Sequence, residues 1–289
     1  MKKIVMVTMI LIVALGLVAC QNDRDDVFRV GLEAAYAPFN WTTTTESEFT
    51  HPIHGQPNMF ADGYDVQIAR MMAEEMGKTL EIHSITWLGL IPALITNQID
   101  AIIAGMTATD ARREQIDFTN TYWTSEVTIL VRENTTFAEA TSLEDLSGAR
   151  VVSQAGTIYD TMYNQIPNAT RLAPLNNYGQ LALQLQTGNA DVVIGEYPVI
   201  ALAAAQSAGL TYVRFAEGNG FTPHFAPVAI GVRQNDQDTR DSMNNVLARL
   251  SEADRYEIMD AAIARHTPVA TTSTQLVYVG VEFKSEDYV

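Results

Sequence analysis

The sequence predicts an α/β protein of two lobes, each a sheet flanked by helices, joined by two extended crossings. Three observations carry that expectation. Residues 27–104 read as strand, helix, strand, helix, strand, the alternation that builds a sheet with helices on its faces. A second unit of the same kind runs from Arg150 to Ile194. Glu126 to Arg132 (EVTILVR) and Val228 to Val232 (VAIGV) are apolar extended runs on either side of that unit, so the chain crosses into a second lobe and returns. Two crossings make a hinge, and the cleft between two lobes is a preferred ligand site. Lobe one is expected over 27–125 with 226–266 and lobe two over 126–225, leaving 1–20 as a leader and 267–289 as a C-terminal extension.

The chain opens on Lys2 and Lys3, followed by an almost wholly apolar run from Ile4 to Val18. This is a signal-peptide pattern, too short for a membrane span. The only cysteine closes it in Leu17-Val18-Ala19-Cys20, an arrangement that resembles a bacterial lipobox. Lipidation of Cys20 predicts an anchored, otherwise soluble protein in the cell envelope, on a periplasmic or extracellular face. Cleavage before Cys20 takes the formal net charge from -16 to -18, which argues against nucleic acid as a partner. With no second cysteine, the fold rests on its cores without a disulfide.

Val27 to Leu32 is the first strand. It runs into the aromatic loop Glu33-Ala34-Ala35-Tyr36-Ala37-Pro38-Phe39-Asn40-Trp41, where Pro38 ends the strand. Phe39 and Trp41 read as loop-packing hydrophobes, whereas Tyr36 is as readily a ligand contact. Thr42 to Ala61 is polar and irregular. His51 and His54 stand three apart in it, but Pro52 lies between them and no carboxylate or thiolate stands at ligand spacing, so no metal site is expected. After Asp62-Gly63-Tyr64-Asp65, an amphipathic helix sets Val66, Ile68, Ala69, Met72, Ala73 and Met76 on its inner face and stops at Gly77. Leu80 to Ile85 alternates as a strand, Trp87 to Leu94 begins a second helix, and Asp100 to Ala104 is the third strand. In the second unit, Arg150 to Ser153 is a strand, Gln154-Ala155-Gly156-Thr157 a turn that opens a helix, Tyr178 to Gln186 a helix, and Asp191 to Ile194 a strand ending at Gly195-Glu196. Thr239 to Leu250 and Arg255 to Arg265 are helices. Gln275 to Phe283 alternates like a strand; it either adds to a sheet edge or pairs with the 42–61 insertion.

The most informative stretch is Ile102 to Phe118, IIAGMTATDARREQIDF. A strand end, a small-residue loop and a helix start at Thr109-Asp110 leave backbone N–H groups unpaired and favour an anion. Arg112 lies near that helix start, where its planar fork can take a carboxylate in two parallel hydrogen bonds. On the residues alone, Arg112 and Arg113 read equally as solvated helix residues behind a Thr109 or Asp110 cap. Glu33, Trp87 and the run from Gly105 to Arg112 all fall just past a strand end, where ligands of such sheets gather.

From Val27 to about His266 the chain resembles the amino-acid-binding members of the bacterial extracellular solute-binding proteins, the feeding subunits of ABC importers. Four segments carry the resemblance: VGLEAAYAPFNW, GYDVQIARMMAEEMG, WLGLIPALITNQIDAIIAGMTATDARREQIDFTNTYW, and the pair VVSQAGT and ADVVIGEYPV. The third is the most specific of them. The resemblance implies a two-lobed periplasmic-binding-protein-like fold of type II. It implies that Arg112 clamps a ligand α-carboxylate with help from Gly105, Thr107 and Thr157, and that Glu196 of the second lobe, with Gly105 and Thr107, receives the α-ammonium. It also implies that Tyr36 and Trp87 cover the ligand side chain. The implied partners are a free amino acid and a membrane permease; no cofactor and no catalytic residue are called for. Three departures bear on the site. Glu196 stands where the family commonly has Asp, and the extra methylene moves the carboxylate by roughly 1.5 Å. Leu88 stands where many relatives carry Asp, and the 42–61 insertion is longer than usual. On residue type alone, Glu196 is also readable as a capping or surface acid and Thr157 as a helix N-cap.

Glu33 and Glu196 together set two carboxylates against Arg112, which leans toward a polar or cationic amino acid over an acidic one. Two other functions fit the same lobes. A cyclic-carboxylate dehydratase would use Arg112 for its substrate and Glu33 or Glu196 as acid or base. A ligand-sensing module would signal to a membrane partner and not to an importer.

Overall fold

A computed structural model describes residues 26–267; the leader with Cys20 and the 268–289 segment lie outside the described residues. The first strand β1 (Val27–Leu32), the strands β6 (Thr79–Ser84) and β7 (Ala101–Ile102), and the long β8 (Asp117–Arg132) are joined into one sheet by β13 (Phe225–Val232). β1 pairs in parallel with both β6 and β7. β13 is antiparallel to β7 and β8. The far half of β8 continues into the second lobe, antiparallel to β11 (Val192–Glu196) and β12 (Leu210–Val213). β9 (Arg150–Val152) lies parallel to β11, with β10 (Thr170–Arg171) beyond it.

β8 is the spine of the molecule. Its 16 residues extend about 54 Å at about 3.4 Å each, enough to run through both lobes. The alternation of a strand sends its side chains to opposite faces. Val127, Ile129 and Val131 enter one core with Val151, Val192, Ile194 and Phe215, while Leu130 enters the other with Leu181, Leu185 and Val193. Each such side chain, fully buried, contributes about 1.5–3 kcal/mol. The apolar run predicts this crossing only from Glu126, because Asp117, Asn120 and Ser125 interrupt it; pairing to β13 from Asp117 onward carries these polar residues into the strand.

In lobe one, α1 (Tyr64–Glu75) buries Val66, Ile68, Ala69, Met72 and Ala73. α2 (Leu90–Ile95) follows a single 3₁₀ turn at Trp87–Gly89. α3 (Asp110–Arg113) is one turn long, much shorter than the polar helix expected there, so its dipole is small. In lobe two, α4 (Tyr159–Met162) and α5 (Tyr178–Gln186) precede β11, and α6 (Tyr197–Gln206) follows it. Neither α6 nor β12 was foreseen, since their apolar residues show no clear period. The described residues close on α7 (Gln237–Leu247) and α8 (Glu252–His266).

The 42–61 insertion is ordered, contrary to the irregular segment expected. β2 (Ala35–Tyr36), β3 (Asn40–Thr43), β5 (Phe60–Asp62) and β4 (His51–Pro52) form a small antiparallel sheet in that order. Ile53, buried beside it, bridges to Ile82 of β6. The polar composition hid short strands whose partners come from elsewhere in the chain.

Candidate functional site

The carboxyl ends of β1, β6, β7 and β9 lead to Glu33, Trp87, Gly105 and Gln154, which line the space between the lobes, and β11 ends at the buried Glu196. Seven residues expected at the site (Glu33, Tyr36, Trp87, Gly105, Thr107, Arg112 and Thr157) line one narrow cavity there, of about 20 Å³. Gln154, Ile158 and Tyr159 complete its wall. Glu196 stands behind Tyr36, whose hydroxyl donates to its Oε1.

Arg112 is positioned by its own turn, because the Thr109 hydroxyl accepts from the Arg112 backbone N–H. Its guanidinium donates to the Thr107 carbonyl at 2.6 Å and to the Gly156 carbonyl of the other lobe at 3.1 Å. It lies 5.0 Å from the Trp87 ring centroid, a cation–π arrangement. Burial lowers its pKa to about 10; among the described residues no carboxylate pairs with it to offset that cost.

Among the described residues, the acids of the cleft have no cation paired with them. Both oxygens of Glu33 accept from Gln154 Nε2 at 3.0 Å. Burial raises the Glu33 pKa, and the Gln154 hydrogen bonds only partly oppose it. Glu196 is 1% exposed and burial raises its pKa to about 7, with the Tyr36 and Ser125 hydroxyls pulling the other way. The Ser125 hydroxyl also accepts from Trp123 Nε1; among the described residues Glu196 Oε2 has no hydrogen-bond partner at bonding geometry, nor has the Tyr178 hydroxyl. Glu196 sits at the N-cap position of α6 without a side-chain capping bond, so the capping alternative does not describe it. Thr157 caps no helix either; its hydroxyl donates to the Gln154 carbonyl at 2.8 Å.

The lobes meet directly over the cavity. Besides Arg112 to Gly156, Glu33 to Gln154 and Tyr36 to Glu196, Trp87 Nε1 donates to the Gly156 carbonyl at 3.2 Å. Gly156 has φ +71°, the left-handed conformation that favours glycine. Gly105 is constrained likewise, with φ +60° and Tyr36 Cε1 at 2.9 Å from a built Cβ.

A polar network missed in the sequence holds the first-lobe loops. Asp65 accepts from Asn40 Nδ2 and from the Tyr122 hydroxyl, each at 2.7 Å. Tyr122 in turn accepts from the Gly105 N–H at 2.8 Å, and Asn40 Oδ1 accepts from the Ala34 N–H at 2.7 Å. One buried acid thus fixes the loop after β7 and the loop after β1. Burial raises its pKa to about 7. The available signal was register: Asp65 is three, four and seven residues before Ile68, Ala69 and Met72, so it points to the core. Phe39 and Trp41 are buried packing residues as expected.

The expectation that no carboxylate stands near the histidines is corrected. β6 places Glu81 Oε1 at 2.7 Å from His83 Nε2 and Glu81 Oε2 at 3.2 Å from His54 Nδ1. These residues are far apart in sequence and meet only because the insertion docks on β6.

The family profile of the bacterial extracellular solute-binding proteins, family 3, matches residues 28–262. The chain belongs to that family. As in other solute-binding proteins of this kind, the fold is the type II two-lobed periplasmic-binding-protein arrangement. The L-arginine-binding protein of Pseudomonas aeruginosa is 26% identical over 261 residues, covering 89% of this chain and 94% of its own. A solved amino acid ABC transporter substrate-binding protein of Streptococcus pneumoniae, bound to L-arginine, is similar with a TM-score of 0.70 at 27% identity, over 83% of this chain and 95% of that one. The structure of an ancestral amino-acid-binding protein, described as a precursor of cyclohexadienyl dehydratase, is similar with a TM-score of 0.67 at 26% identity, over 83% and 96% of the two chains.

Proposed function

We propose that this solute-binding protein is the substrate-binding component of an ABC importer, capturing an L-amino acid with a cationic side chain between its lobes. The observation that carries the reading is a charge imbalance in the cleft. Arg112 lacks an acid and Glu33 and Glu196 lack a cation. A ligand with one carboxylate, one ammonium and one cationic side chain supplies each missing partner. A neutral side chain would leave Glu33 without one, and an acidic side chain would add repulsion. Arg112 takes the α-carboxylate in exchange for the Thr107 and Gly156 carbonyls, Glu196 receives the α-ammonium, and Tyr36 and Trp87 cover the side chain. Arginine is the ligand named for the Pseudomonas relative and the Streptococcus structure, which supports the cationic class.

Lobe one (27–125 with 226–266) carries Arg112 and lobe two (126–225) carries Glu196, so only a closed form has both ends of the zwitterion clamp. Ligand binding thereby selects closure about β8 and β13. Anchoring at Cys20 would hold the protein beside its permease. The buried Tyr36–Glu196 pair can hold a proton in the cleft, which is the feature a dehydratase would use. Turnover of cyclic carboxylates would reveal that chemistry.

The test is thermal unfolding of the lipid-free protein, from Gln21 onward, against the common amino acids and several cyclic carboxylates. At 100 times Kd a ligand adds about 2.7 kcal/mol, or a midpoint rise of roughly 5–10 °C for a chain of this size. Rises with L-arginine, L-lysine or L-histidine support the reading; a shift with cyclic carboxylates alone would replace it with the enzymatic one.

A further inference from the structure

His54, Glu81 and His83 lie outside the cleft, and each offers one ligand atom within 4.8 Å of the other two. Glu81 and His83 are two apart on β6, so they project from the same face of the sheet. His54 comes from the insertion, and its position is set by backbone. Its N–H donates to the Ile82 carbonyl at 2.8 Å, and Ile53 beside it bridges to Ile82. The two imidazoles stack with centroids 4.7 Å apart and planes 25° apart. Among the described residues, the ion-pair partners of Glu81 are these two imidazoles, with no Arg or Lys on it. His51, from the same insertion, is turned to the Leu80 carbonyl at 3.0 Å and stays out of the cluster.

We propose that His54, Glu81 and His83 form a binding site for a divalent transition-metal cation of the zinc class, which clamps the inserted sheet onto β6. Two imidazole nitrogens and one carboxylate oxygen are the donor set such ions prefer, whereas magnesium and calcium call for oxygen throughout. Zinc takes nitrogen and oxygen ligands at about 2.0–2.2 Å in a tetrahedron, which puts neighbouring donors roughly 3.3–3.5 Å apart. The Glu81 contacts of 2.7 and 3.2 Å need to open by up to roughly half an ångström, and the two stacked rings need to turn so that their in-plane nitrogens converge on one ion; both are side-chain rotations of partly exposed groups. The His54 side chain is 55% exposed, leaving the outer side open for a water as fourth ligand. The carboxylate that now accepts from both imidazoles becomes a ligand beside them, and the imidazoles bind as neutral bases.

The experiment is isothermal titration of the chelator-stripped protein, from Gln21 onward, with zinc chloride, paralleled by cobalt(II) absorption. One zinc per chain and tetrahedral-intensity cobalt bands are expected. Outer-shell partners alone change metal affinity by about 10–100-fold, so His54→Ala and His83→Ala should each weaken zinc by at least that much, and a zinc-induced rise of the unfolding midpoint should vanish in both. Circular dichroism checks that the variants fold; His54→Ala changes an exposed group and serves if His83→Ala does not. Absence of saturable binding, or zinc affinity unchanged in the His54→Ala variant, would overturn the assignment. The titration uses no amino acid, so its result is independent of the cleft reading.

Discussion

Replacing Glu33 by Gln probes ligand choice with the least structural change. The substitution keeps shape and removes one charge. Gln154 Nε2 now serves both Glu33 oxygens, and a glutamine at 33 retains one acceptor for it. Burial already disfavours the Glu33 anion, so the variant's unliganded midpoint should equal or exceed that of the parent. Binding should respond differently. A cationic side chain about 4 Å from the Glu33 carboxylate gains about 4 kcal/mol at an effective dielectric of 20. Water at the cleft mouth lowers that figure, giving a loss of about 2–4 kcal/mol, or from about thirtyfold to several hundredfold in Kd for L-arginine. L-glutamine, with a neutral side chain, should bind parent and variant nearly alike. Calorimetric titration of both ligands against both proteins measures the difference directly. Equal losses for the two ligands, or no loss for arginine, would remove Glu33 as the specificity acid.

Arg112→Ala should abolish binding at practical concentrations without lowering the unfolding midpoint, because the guanidinium is buried without an acid; retained micromolar affinity would refute the clamp. Glu196→Gln should cost about 2–5 kcal/mol of affinity, the scale for removing one partner of a buried pair, and an unchanged Kd would assign the ammonium elsewhere. Tyr122→Phe leaves the Gly105 N–H and an Asp65 oxygen unpaired, so it should destabilise by about 1–3 kcal/mol and weaken binding through the displaced loop; chemical denaturation with a parallel titration reads both. Burial raises Asp65 and Glu196 to about 7, well above an unfolded carboxylic acid. Their protonated forms therefore favour the fold fully below about pH 4, and that contribution is lost as pH rises through 7. Unfolding free energy should fall by a few kcal/mol between about pH 5 and 7.5, less so in Glu196→Gln; a rise across that window would contradict it. Asp100 and Asp191, held low by their arginine partners, titrate below this range.

The α/β alternation and the two crossings between lobes are readable because they follow from local apolar runs, whereas the strand order comes from pairing between distant segments. Parallel strands such as Val27–Leu32 announce themselves as apolar runs, and a residue just past such a run faces the cleft whatever its lobe. That rule points to Glu33, Trp87 and the run from Gly105 to Arg112, whereas Glu196 is implied by the family resemblance. What escaped was set by long-range partners. The small sheet of the insertion depends on β3 and β5 meeting across a polar loop, and Asp65 gains its meaning from Asn40 and Tyr122, 25 and 57 residues away. Glu81 likewise joins His54 only after the insertion folds back. Glu196 shows the intermediate case: its place at the end of a second-lobe strand is legible, but its burial and its contact with Tyr36 arise from cross-cleft packing.

The most direct measurement of the central claim is a crystal structure of the protein grown with L-arginine. The expected density has the α-carboxylate on the Arg112 guanidinium with the Gly156 carbonyl released, the α-ammonium within hydrogen-bond distance of Glu196, and the ligand guanidinium facing Glu33. A ligand bound in the reverse sense, with its side chain toward Glu196, or bound outside this cavity, would contradict it.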